Sequence, residues 1–303
     1  MSMRHQGSHI AEWQENGFTV VPGFLSMKEI APVLADFEAL YAHEGGEAEL
    51  NVKQGDEIGR FSMHQFRHFD TLPYAASPAI NLVSLHPDVI AFARALLGVE
   101  DVHLYQSHTW AKYTGEADYD QPFHCDFGNH TLVVPSDEAA LRTVNFVLYI
   151  TDVTDELGAL HYVKKPDSDA VLGAGEVTAL PEQQDALKAR ELSAAAPAGS
   201  LVAYGIDGFH RGTNLTEPGG RRFTMTFSYK AAGNDNIAFH TWQTGPERHW
   251  DRIMNHATPE QLACLGIPAP GSGYWTERTL RLTRARWPDM NLDPYVEAAG
   301  VTA

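Results

Sequence analysis

The rhythm of hydrophobic and polar positions changes twice along the chain. Within residues 8–43, Ile30, Val33, Leu34, Phe37, Leu40 and Tyr41 recur at helical spacing. Ser26 opens an S-M-K-E run, so Ser26 and Glu29 can form a capping box at the start of that helix. Residues 86–98 predict a second helix, with Pro87 suited to its first turn and Gly98 to its end. Residues 44–72 follow neither period: they begin acidic and Gly-containing (EGGEAEL) and continue as RFSMHQFRHFD. This predicts a long loop, of a length that often serves as a lid.

From about 102 to 230 the pattern turns to short β-prone stretches at 102–113, 130–134, 143–150, 159–163, 199–206 and 221–230. Short strands at this spacing predict a sandwich or barrel. A polar helical insert, PEQQDALKARE, interrupts them at 181–191, and the chain is helical again from 246, with Pro and Gly breaks around 266–273. The expected class is therefore mainly β with flanking helices (α+β). We read 1–303 as a single catalytic domain, with a helical N-terminal cover over 8–98, a β core over about 102–230 and a helical C-terminal region over 246–303.

Charge narrows the choice of partners. There are 22 Lys+Arg against 39 Asp+Glu, a formal net charge of −17. Nucleic acids and anionic membranes are bound through positive charge, so neither is an expected partner. An anionic small molecule would need a local basic site. Cys125 and Cys264 form no CxxC pair, which argues against a zinc knuckle and suits a reducing cytoplasm. No run of about 18 apolar residues and no apolar signal core is visible. The expectation is a cytoplasmic protein, monomer or homodimer, acting on a small-molecule substrate.

Among fifteen histidines, the informative pattern is His124-Cys125-Asp126 followed much later by His210. On an extended strand, residues i and i+2 share a face, so His124 and Asp126 can reach one ion while Cys125 points away. His210, just after the β-prone stretch GSLVAYGIDGF, supplies a third ligand. Two histidines and one carboxylate leave coordination positions open, as Fe(II) enzymes that bind a co-substrate and O₂ require. His64, His68, His103, His108, His130 and His161 are competing candidates for the same ion.

Downstream of His210, E-P-G-G marks a turn, and RRFTMTFSYK at 221–230 reads as the returning strand. Alternation puts Arg221 on the face of Phe223, Met225, Phe227 and Tyr229, and Arg222 with Thr224, Thr226, Ser228 and Lys230. Taking the apolar face as inward places Arg221 near the metal. A buried arginine needs an anionic partner, either a ligand carboxylate or a core acid.

These segments together resemble the phytanoyl-CoA dioxygenase family of Fe(II)/2-oxoglutarate-dependent oxygenases. The resemblance runs through ENGFTVVPGFLS, HPDVIAFARALLG, HCD at 124–126, DVTDELGALHYV and GSLVAYGIDGFHRGTNLTEPGGR. It implies a double-stranded β-helix (jelly-roll, cupin-like) core. It implies Fe(II) held by His124, Asp126 and His210, and 2-oxoglutarate and O₂ as co-substrates. The family's histidine is followed eleven residues later by arginine, which selects Arg221 for the distal carboxylate of 2-oxoglutarate. Lys112 matches a family position near the co-substrate, and Thr143 offers a further hydroxyl contact. The implied reaction is hydroxylation of an unactivated C–H bond with release of succinate and CO₂. Asp126 separates the chain from halogenating relatives, which replace that carboxylate. Tyr-Val-Lys-Lys-Pro at 162–166 and Gly212 depart from the family's Val-Pro-Gly-Ser-His and small hydroxyl residue; Thr213 is the nearest hydroxyl that could stand in.

Gln106, Trp110 and Asn145 are candidate substrate contacts on strands near the motif, and Arg60, His64, Arg67 and His68 form a basic-aromatic cluster in the loop. Two other readings use the same residues: a Zn(II) hydrolase or isomerase, and a non-catalytic 2-oxoglutarate sensor.

Overall fold

The computed structural model describes residues 3–42, 68–115, 120–131, 134–136, 138, 141–237 and 249–301. Nine strands occur among them: β1 (Phe18–Val21), β2 (Phe69–Thr71), β3 (Val102–Tyr113), β4 (Thr143–Tyr149), β5 (His161–Tyr162), β6 (Leu192–Ser193), β7 (Leu201–Tyr204), β8 (His210–Arg211) and β9 (Arg221–Ala231). They form a six-stranded sheet of order β1-β7-β4-β9-β3-β2 and a three-stranded sheet β6-β5-β8. Every pairing is antiparallel. The two sheets and their helical cover make a double-stranded β-helix of the jelly-roll type.

Strand β9 shows why the layers form. Phe223, Met225, Phe227 and Tyr229 are fully buried and join a core with Val33 and Phe37 of helix Met27–Leu40 and Phe92 and Leu96 of helix Pro87–Leu97. Phe37 stacks on Phe223 at 5.3 Å, and Phe92 meets Phe146 at 5.7 Å. Each such ring or aliphatic group contributes about 1.5–3 kcal/mol by leaving water. The same core takes Ile253, Leu262, Leu280 and Tyr295 from the C-terminal helices. The apolar face of the large sheet is thus its outer face, under helices from both ends of the chain. The stretch Pro78–Leu97 is apolar and long enough to cross a membrane by composition, yet 61% of it is buried in this core.

The opposite face of β9 looks into the space between the sheets. Its register with β3 sets Arg222 beside Lys112, Thr224 beside Trp110, Thr226 beside His108 and Ser228 beside Gln106. Towards β1, β4 and β7 the interior becomes apolar, where Phe18, Val147, Tyr149, Val202 and Tyr204 pack on Val153, Ala159 and Tyr162.

The predicted helix boundaries hold. The amide and hydroxyl of Ser26 donate to the Glu29 carboxylate at 2.8 and 2.6 Å. Gly98 ends helix Pro87–Leu97 with φ of 66°. The 181–191 insert is a 3-10 turn, Pro181–Gln183, running into helix Gln184–Lys188. Two expectations change. Residues 18–21, read as part of a helical cover, form β1, because pairing with β7 satisfies a segment too short to show a period. At 130–134, His130 ends helix Phe127–His130 and Thr131 makes only an isolated bridge to Ile237. Most of the expected lid at 44–72, with Arg60, His64 and Arg67, lies outside the described residues. Its end forms β2 on the edge of β3, and His68 packs edge-on against Tyr41 and Tyr113.

Candidate active site

His124 and His210 face each other across an antiparallel bridge. Each backbone N–H donates to the other's carbonyl at 3.0 Å, which puts both side chains on one side with ring centroids 4.6 Å apart. Asp126, two residues on from His124, shares that side. Cys125 points the other way, its thiol donating to the Asp207 carbonyl at 3.2 Å.

The donors are arranged for an ion. The His124 Nδ1–H donates to the Pro122 carbonyl at 2.8 Å, and the His210 Nδ1–H to the Gly208 carbonyl at 3.0 Å. A carbonyl only accepts, so both Nδ1 atoms carry a proton and each ring turns its Nε2 towards Asp126. These Nε2 atoms lie 3.7 and 3.5 Å from the Asp126 carboxylate. One donor atom from each of the three residues falls within 4.8 Å of the others. Asp126 Oδ2 accepts from the Tyr204 hydroxyl at 2.9 Å. Burial works against the Asp126 charge, but the imidazoles of His210, His124 and His130 and the Tyr204 hydroxyl outweigh it, so its carboxyl is held below the usual range. Tyr204 itself is pushed well above the usual phenol range by burial and by the Asp126 charge. No other described group of three His, Cys, Asp or Glu residues converges in this way. His130 is hydrogen-bonded to the Tyr105 hydroxyl at 2.5 Å, and His161 lies 3.2 Å from both Asp155 and Glu191.

The triad opens into a cavity of about 330 Å³ that is also lined by Gln106, Trp110, Lys112 and Arg222. Here the strand-face expectation is corrected. Arg221 is about half exposed on the outer face, paired with Glu38 at 2.7 Å and set over the Phe223 ring. The alternation along β9 is as read from the sequence, but the helices claim the apolar face and the cavity takes the polar one. Of the two, Arg222 is therefore the buried one, and its guanidinium donates to the Gly158 carbonyl. Gly158 adopts φ of +75°, and a β-carbon there would lie 2.7 Å from the Thr213 carbonyl and 3.1 Å from the guanidinium. The glycine of the D-V-T-D-E-L-G-A-L segment thus lets the arginine cross beneath it.

Lys112 faces the cavity beside Arg222. Burial, and then the Arg222 charge, bring its ammonium down to about 7. Gln106 and Trp110 line the cavity. Asn145 and Thr143 do not. Asn145 lies behind the wall, where its Oδ1 accepts from Tyr105 at 3.4 Å. Thr143 pairs with Lys230 at the far end of β4 and lines a separate small depression with Ile206 and Ile237. Thr213 does not replace a hydroxyl at 212, since it donates to the Ala159 carbonyl at 2.7 Å. The Gln121 side chain fills that space and accepts from the Gly212 amide at 2.8 Å. Gln121, Tyr204 and Arg222 are among the cavity residues that the sequence reading did not assign to the site. For Arg222, the amphipathic helices were the available signal, because they require an apolar sheet face to cover. Nothing in the sequence marks Gln121 or Tyr204.

Open coordination positions beside a cation pair suit an ion that must hold a chelating dianion and oxygen together. The class that this fold and site define is the Fe(II)/2-oxoglutarate-dependent dioxygenase. The family model described as phytanoyl-CoA dioxygenase (PhyH) matches residues 13–223, and the chain belongs to that family. A search of curated protein sequences returned no match. Similar solved structures include the alpha ketoglutarate-dependent carbocyclase SnoK from nogalamycin biosynthesis, at 20% identity and TM-score 0.57 over 82% of this chain and 91% of that one. EctD from S. alaskensis, with 2-oxoglutarate and 5-hydroxyectoine, matches at 17% identity and TM-score 0.56 over 77% and 78%. The epimerase SnoN, in complex with Fe3+, alpha ketoglutarate and nogalamycin RO, matches at 18% identity and TM-score 0.54 over 77% and 85%. At these identities the likeness is one of fold.

Proposed function

We propose that the protein hydroxylates an unactivated C–H bond of a small molecule: substrate, 2-oxoglutarate and O₂ give hydroxylated substrate, succinate and CO₂. The observation that carries this reading is the pair of buried Arg222 and part-buried Lys112 opening into the same cavity as the triad. His124, Asp126 and His210 would hold the metal, which when bound would supply the O₂ activation that couples decarboxylation of 2-oxoglutarate to oxidation of the substrate. Arg222 takes the distal carboxylate of 2-oxoglutarate, held in place by Gly158, and Lys112 adds a second charge. Val147, Val153 and Leu160 line the cavity beside these groups and keep it dry.

The substrate is a hydrogen-bonding molecule with an apolar or aromatic face. Phe69, His108 and Trp110 form a ring cluster with centroids 4.9–5.5 Å apart on one wall. Gln106, held by its amide to the Ser228 hydroxyl at 2.8 Å, offers polar contact beyond them. SnoN binds nogalamycin RO and EctD binds 5-hydroxyectoine, both small molecules. We infer that residues 1–303 work as one catalytic domain, in the cytoplasm, as monomer or homodimer.

The test is succinate formation from 2-oxoglutarate with Fe(II) and O₂. The native protein should form succinate, and His210→Ala, which removes a ligand itself, should lose more of the rate than the roughly 10–100-fold typical of losing a ligand's outer-shell partner. A zinc hydrolase would have no use for the cation pair, and a sensor would bind 2-oxoglutarate without turnover. Succinate formation that survives His210→Ala unchanged would refute the assignment.

A further inference from the structure

We propose that Tyr204 is a positioning residue for the metal carboxylate: its hydroxyl fixes Asp126 through Oδ2 and leaves Oδ1 as the oxygen offered to the ion. The inference rests on the reading of His124, Asp126 and His210 as the metal ligands.

The geometry leaves the hydroxyl little freedom. Tyr204 ends β7, where it pairs with Phe18 on one side and Asn145 on the other. Its ring is wedged between His210, at 4.9 Å, and Tyr162, at 5.4 Å. The ring packing fixes the position of the phenol oxygen, and its hydroxyl donates to Asp126 Oδ2 at 2.9 Å. Asp126 Oδ1 accepts no hydrogen bond from the described residues and lies 3.7 Å from His124 Nε2, whereas Oδ2, 3.5 Å from His210 Nε2, already accepts from Tyr204. The terminal torsion of an aspartate is broad and nearly two-fold, so packing alone does not choose its orientation. A hydroxyl donating to a charged oxygen is stronger than a neutral pair and selects one rotamer. One-oxygen ligation keeps a coordination position open for the co-substrate and O₂.

Tyr162 provides a control within the same structure. Its ring stacks on His210 at 5.6 Å and 28°, but its buried hydroxyl has no hydrogen-bond partner among the described residues. Replacing either tyrosine with phenylalanine keeps the ring in the core and removes one hydroxyl. Only at 204 does that hydroxyl touch a ligand.

The experiment titrates full-length, metal-free protein with Co(II) and records the dissociation constant and the visible ligand-field spectrum. Tyr204→Phe should weaken Co(II) about 10-fold and change the spectrum, because an outer-shell partner of a ligand typically carries 10–100-fold in metal affinity. Tyr162→Phe should match the native protein in both readouts, and the metal-free melting temperatures of all three should agree within a few degrees. Native-like Co(II) affinity and spectrum in Tyr204→Phe would overturn the proposal. An equal loss in Tyr162→Phe would overturn it too, by showing that packing and not the hydrogen bond matters. His124→Ala separates the two levels: if it binds Co(II) as the native protein does, the triad reading itself fails.

Discussion

Gly158 and Arg222 depend on each other at the scale of single residues. A side chain at 158 would meet the Thr213 carbonyl and Leu215 within 2.8 Å, at a φ that L-residues rarely adopt. Gly158→Ala should cost about 1–3 kcal/mol of stability and displace the guanidinium, raising the dissociation constant for 2-oxoglutarate. Thermal unfolding and a 2-oxoglutarate titration would check both effects. Arg221 should behave differently. Its pair with Glu38 is half exposed, and such pairs contribute about 0–1 kcal/mol. Arg221→Ala should therefore leave melting and co-substrate binding nearly unchanged.

At the scale of elements, β9 carries two functions on two faces. Phe227 belongs to the core beneath the helices, so Phe227→Ala should destabilise by about 3–5 kcal/mol, measurable by denaturant unfolding. Thr226, one residue away, lines the cavity, and Thr226→Ala should alter substrate affinity with little change in stability. The bounds of β3, β4 and β9 were legible because these strands are long enough to show a period. Their alternation was legible as well, but not which face meets the ligand. A polar strand face looks the same in sequence whether water or a binding cavity lies against it. Strands β1, β6 and β8 have two to four residues and exist through their pairing partners, so no local pattern announces them. His210 was found through its motif and not through its strand. Thr143 and Asn145 were misplaced because a strand position says nothing of how deep a cavity reaches.

At the scale of the whole molecule, a chain of formal charge −17 keeps two cations together inside. Lys112 shows what this costs, since burial and Arg222 lower its ammonium to about 7. An unfolded lysine titrates near 10.4. Between about 7 and 10.4 the unfolded chain holds a proton that the folded one lacks, so this group makes folding more favourable as pH rises through that window. Co-substrate binding has the opposite sign. A bound carboxylate favours charged Lys112, so above about pH 7 binding takes up a proton and affinity falls as pH rises. Calorimetric titration of 2-oxoglutarate at pH 6.5 and 8.5 should show this loss, and Lys112→Met should remove it.

The central claim is that the triad and Arg222 together seat Fe(II) and 2-oxoglutarate. The most direct test adds Fe(II) and then 2-oxoglutarate to metal-free protein without oxygen and follows the visible spectrum. A weak charge-transfer band should need both additions, vanish in His124→Ala, stay native-like in Arg221→Ala and require roughly thirty-fold more 2-oxoglutarate in Arg222→Ala, as loss of about 2 kcal/mol from a buried charge pair predicts. Absence of the band in native protein with metal bound would contradict the account, as would a defect that follows Arg221 in place of Arg222.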